Sequence, residues 1–152
     1  MTRRWLLAWL LVALVPIARA DDKRLRAYDG QIVISPDPVP TTEGELARYL
    51  EANVTKDGHY ELIKGPPWTI HLIGMLAKDP GTKPVTLQFI DPTDKDKKAA
   101  PLQAIDVPAR RRMVVANTSA TTQAGFEANK TYLVQLVSDG KPLAKATLAL
   151  RH

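Results

Sequence analysis

Residues 68–91, WTIHLIGMLAKDPGTKPVTLQFID, leave a folding chain few choices. On a strand over 68–78, Trp68, Ile70, Leu72, Gly74 and Leu76 fall on one face. Thr69, His71, Ile73, Met75 and Ala77 fall on the other. A strand that is apolar on both faces must be covered on both, which places it in the middle of a core. In residues 85–89, Val85, Leu87 and Phe89 alternate with Thr86 and Gln88, the pattern of a strand with one wet face. The segment between them, KDPGTK, is rich in turn-forming residues. The stretch is therefore expected to be a hairpin at the folding centre, with Trp68, Ile70, Leu72, Leu87 and Phe89 in the core.

The rest of the chain reads as strands around one helix. Gln31 to Ser35 is a short β-prone run, stopped by alternate prolines at 36, 38 and 40. A helix is predicted over about 42–54. Thr42 and Glu45 have the spacing of a capping box, and Leu46, Tyr49 and Leu50 form one apolar stripe. Weaker strands follow at 59–64, 102–107 and 111–117, with a small-residue loop over 118–125. Runs 131–138 and 143–150 form a last pair, joined by a turn that begins Asp139, Gly140. Tyr132, Val134 and Leu148 complete the expected core. Short strands with turn signals every ten or so residues point to an all-β antiparallel sandwich of about 7–8 strands.

The first twenty residues are expected to stand apart from that domain. Arg3 and Arg4 precede an apolar run over 5–17, and Ala18, Arg19, Ala20 make an A-x-A cleavage box. This is the pattern of a secretory signal peptide rather than of a resident membrane helix. Residues 21–29 are expected to be a flexible N-terminus and 30–152 a single domain. The formal charge of the 152-residue chain is +5. Losing Arg3, Arg4 and Arg19 with the signal brings it to +2, so net charge makes no case for nucleic acid. Export after cleavage implies no stable membrane insertion. The Arg-bearing signal and Ala-rich composition fit a bacterial envelope protein, periplasmic or extracellular, and the N-x-S/T matches at Asn53, Asn117 and Asn129 are then read as chance. Cysteine is absent, which excludes thiol catalysis, iron–sulfur clusters and Cys-ligated zinc.

Residues 126–134, FEANKTYLV, resemble the tyrosine corner of the immunoglobulin-like and fibronectin III-like β-sandwiches. The resemblance implies that Tyr132 bonds back to the preceding turn, that Val134 points into the core and that Phe126 plugs it upstream. It implies an architecture and carries no function. The cysteine pair of antibody domains is missing, and Trp68 heads an earlier strand than those domains would have it.

Chemistry is sparse. His59 and His71 fall short of the three or four ligands a metal site needs. Asp91, Asp94 and Asp96 are oxygen-rich, but Lys97 and Lys98 follow and the calcium-loop glycine is absent. Arg110, Arg111 and Arg112 are the sharpest charge cluster, read either as an anion contact or as an edge-strand guard. Ser35, Ser119 and Ser138 lie in no nucleophile motif, and no phosphate-binding loop occurs. The expectation is a non-catalytic binding or accessory module, without cofactor, whose partner is a protein of the cell envelope. Its candidate surface comprises Arg110, Arg111, Arg112, Asp91, Asp94 and Asp96. The alternative is a carbohydrate or cell-wall glycan module that stacks sugars on Trp68 and Tyr60. A small hydrolase using His71 or His59 is the remote third reading.

Overall fold

Trp68–Met75 forms a strand buried on both faces, with Ile70, Leu72 and Ile73 at zero exposure. The computed structural model describes residues 23–93, 103–109 and 111–152. The proposed signal peptide lies outside them. In chain order the elements are α1 (Lys23–Arg26), β1 (Gln31–Ser35), α2 (Glu43–Asn53), β2 (His59–Leu62), β3 (Trp68–Met75), β4 (Val85–Ile90), β5 (Gln103–Val107), β6 (Met113–Ala120), β7 (Lys130–Ser138) and β8 (Lys141–Leu150). A 3-10 turn, Thr122–Ala124, precedes β7.

Among the described residues the strands form one eight-stranded sheet in the order β5-β4-β7-β8-β1-β3-β6, with β2 paired to β8 off that path. The all-β expectation stands, but three finer ones do not. First, residues 68–91 are not a hairpin. β3 pairs with β1 and β6, while β4 pairs with β5 and β7. Both strands have neighbours on both sides, but not each other: alternation specifies which faces of a strand are covered and leaves open which strand lies alongside it. The connecting segment is stitched elsewhere. Leu76 N–H donates to the Arg112 carbonyl at 2.7 Å, and Ala77 N–H to the Leu143 carbonyl at 2.8 Å. Second, the sheet is mixed, because β1 and β2 both run parallel to β8. Parallel neighbours need long connections, and both strands are remote from β8 in sequence. Third, β6 runs through Ala120 into the expected loop, because Thr118, Ser119 and Ala120 find partners in Ile70, Thr69 and Trp68.

The sheet curls back on itself. A Cβ built on Gly74 of β3 would lie 2.1 Å from Leu136 Cδ1 of β7, although β8 and β1 separate these strands in the sheet order. Glycine is what permits the two strands to approach so closely. Gly74→Ala is expected to cost about 1–3 kcal/mol, because Leu136 is fully enclosed and has nowhere to move. A denaturation midpoint equal to that of the parent chain would contradict this close packing.

Local signals explain the remaining elements. In α2, Leu46, Tyr49 and Leu50 are buried and Arg48 and Glu51 exposed, as the apolar stripe requires. The capping box does not form: Thr42 occupies the N-cap without a side-chain bond to the helix. The stretch 21–29 carries α1 over its described part, and Leu25 of that single turn is 1% exposed. β7 and β8 meet through a two-residue turn, with Ser138 paired to Lys141. Asp139 at φ 55° and Gly140 at φ 74° supply the two left-handed residues such a turn demands.

All the expected core residues are enclosed: Trp68, Ile70, Leu72, Leu87, Phe89, Tyr132, Val134 and Leu148 are each at most 1% exposed. The Trp68 indole N–H donates to the Arg151 carbonyl at 2.6 Å. Phe126 packs edge-on against Phe89 and Tyr132, at centroid distances of 5.5 and 5.1 Å. The Tyr132 hydroxyl accepts a bond from the Glu127 N–H at 2.8 Å, so the aromatic ring fills the core while its polar tip satisfies the turn.

Candidate functional site

Strand registers sort the connections to two ends of the sheet. Met75, Met113, Val85 and Ser138 lie toward one end, with the β3–β4 connection, the segment before β6 and the Asp139-Gly140 turn. Ile90, Ala120 and Lys130 lie toward the other, with Asp91 and the 121–129 connection. The candidate surface residues are thus divided. Arg111 and Arg112 belong to the first end and Asp91 to the second. Arg110, Asp94 and Asp96 lie outside the described residues.

Arg112 holds the first end together. Its guanidinium pairs with Asp29 at 3.1 Å and donates to the Ala77 carbonyl. Both side chains are less than a third exposed, so the pair is better shielded than an open surface bridge. The contacts join the α1–β1 turn to the β3–β4 connection, a structural duty that sequence spacing alone does not reveal. Lys83 pairs with Asp139 at 2.9 Å across the same end. That contact holds the Asp139 carboxyl below the usual carboxylate range, with Lys78 adding to the effect. Arg111, at φ 54°, is exposed beside them.

Asp91 is likewise committed internally. It lies 2.6 Å from Lys130 Nζ and accepts bonds from the Thr93 N–H at 2.9 Å and hydroxyl at 2.7 Å. Lys130 first, then Thr93, depress its pKa from 3.8 to about 2. A carboxyl whose folded pKa is depressed stabilises the fold above its unfolded value and loses that contribution as pH falls through the folded one. Asp91→Asn is therefore expected to be less stable than the parent at neutral pH. The gap should close as pH drops from 3.8 to about 2. Parallel acid denaturation curves for the two proteins would contradict the assignment.

The histidines are not brought together. His71 on β3 stands in register between Ser35 and Asn117, whereas His59 on β2 stands beside Thr147 and 4.0 Å from Glu61. Among the described residues no group of three His, Asp or Glu side chains converges as a metal site would. Burial lowers the pKa of His71, with nearby Asp37 opposing. Ser35 is buried and its hydroxyl accepts from the Asp37 N–H at 3.0 Å, while the Tyr49 hydroxyl donates to the Asp37 carbonyl at 2.9 Å. This polar knot fastens α2 to the end of β1. Sequence reading missed it because Ser35, Tyr49 and His71 are far apart in the chain.

Trp68 and Tyr60 are 1% and 5% exposed, and neither presents a ring face to solvent. No protein-family model matches the chain, and no curated protein matches it significantly.

Proposed function

We propose that the chain is an exported, non-catalytic binding module of the bacterial envelope, built as an immunoglobulin-like sandwich and engaging a protein partner. The architectural part draws on the Tyr132 hydroxyl reaching back to the Glu127 N–H, the bond that a tyrosine corner makes. It draws also on a last strand, β8, flanked by β7 on one side and by β1 and β2 on the other.

The functional part rests on how the polar side chains are used. Asp91 is tied to Lys130, Lys83 to Asp139, Arg112 to Asp29 and Ser35 to Asp37. Groups spent on internal pairs serve shape rather than proton transfer, and the connections they brace are where sandwich proteins carry recognition. The glycan alternative loses its stacking platform, because Trp68 and Tyr60 belong to the core. Affinity capture from the native envelope with the mature chain is expected to recover one specific protein. Repeated recovery of nothing above background, or a catalytic activity abolished by His71→Ala, would overturn this reading.

A further inference from the structure

Positive charge gathers at the end of the sheet that carries the Asp139-Gly140 turn. Among the described residues, Lys78, Lys83, Arg111, Lys141 and Lys145 are exposed there and Arg112 is half-buried, whereas the carboxylates beside them are Asp29, Asp79, Asp106 and Asp139. These residues are one neighbourhood. Arg112 reaches Asp29 and the Ala77 carbonyl, and Ala77 N–H reaches the Leu143 carbonyl. Lys83 pairs with Asp139, and Lys78 acts on the same carboxyl. Cations outnumber acids on a frame whose segments are tied to one another.

Resting on the binding function proposed above, we infer that this end is the docking surface and that its occupant is an acidic segment of a protein partner. Unbalanced cations on braced connections attract carboxylates over a Debye length and fix their register on arrival. A membrane surface fits less well. Among the described residues the exposed large hydrophobic side chain is Ile63, which follows β2 and lies toward the opposite end. Among the described residues the cationic end therefore offers no large apolar anchor to insert between lipids.

The test uses the mature chain and a fluorescent poly-glutamate peptide, read by anisotropy at two salt concentrations. Binding is expected, weakening as salt rises. Lys78→Glu with Lys141→Glu should weaken it about tenfold or more, and Arg48→Glu with Lys64→Glu, an equal change of net charge placed elsewhere, less than about twofold. Both variants alter exposed side chains, and matching denaturation midpoints would verify their folds. No binding, or equal loss in the two variants, overturns the surface. Preferential binding to vesicles of anionic phospholipid over the peptide overturns the protein partner. Envelope capture separates this inference from the one beneath it. A partner recovered equally by the parent and by the Lys78→Glu, Lys141→Glu chain overturns this surface and leaves the binding function standing. A parent chain that recovers nothing overturns both.

Discussion

Phe126→Ala will lower the stability of the fold by about 3–5 kcal/mol, although the residue lies in a connection between strands. Connections usually tolerate substitution because they run over the surface. Phe126 does not: it is 1% exposed and packs edge-on against Phe89 and Tyr132. Removing the ring deletes two aromatic contacts and leaves a cavity against Phe89 of β4 and Tyr132 of β7. Gln123→Ala, three residues away and exposed, is the control and should stay within about 0.5 kcal/mol of the parent. Urea denaturation of both variants decides the matter. A shift for Phe126→Ala no larger than the control's would show that the ring is not a core element.

Leu72→Ala and Ile73→Ala will each cost about 2–5 kcal/mol, and the comparison between them matters more than either value. The two side chains leave β3 on opposite faces, and both are at zero exposure. Leu72 stands in register between Ile34 and Ala116, and Ile73 between Val33 and Val115. A strand in a two-stranded hairpin with one wet face would pay heavily on one side and little on the other. An interior strand covered on both sides pays on both. A denaturation midpoint moved by Leu72→Ala and unmoved by Ile73→Ala would contradict the covering of β3 on both faces.

That comparison also marks how far local pattern carries. The doubled apolar pattern of residues 68–78 correctly announces an interior strand, yet its neighbours are β1 and β6, which lie far off in sequence. The proximity of residues 85–89 in the chain suggested a hairpin, and proximity misled because alternation states which faces are covered and not which strand lies alongside: β4 pairs with β5 and β7 instead. The Asp-Gly turn was legible because both of its residues must take positive φ, a local demand that the sequence answers directly. The capping box was not, because Thr42 and Glu45 have the right spacing while Thr42 makes no cap bond.

The candidate surface was legible only in part. Three consecutive arginines stand out in the sequence, but nothing near them in the chain reveals that Arg112 clasps Asp29 and the Ala77 carbonyl. Nor does the acidic run that begins at Asp91 reveal that Asp91 belongs to Lys130 at the other end of the sheet. The sequence by itself determined the β class, the positions of most strands, the tight Asp139-Gly140 turn and the enclosed residues from Trp68 to Leu148. These follow from alternation and backbone preference, which act over a few residues. Only the tertiary structure decided which strand lies beside which, which charges are consumed within the molecule, and that Lys78, Lys83 and Lys141 share one end. Burial pattern states that a residue must be covered; what covers it depends on contacts between segments that the chain brings together only by folding.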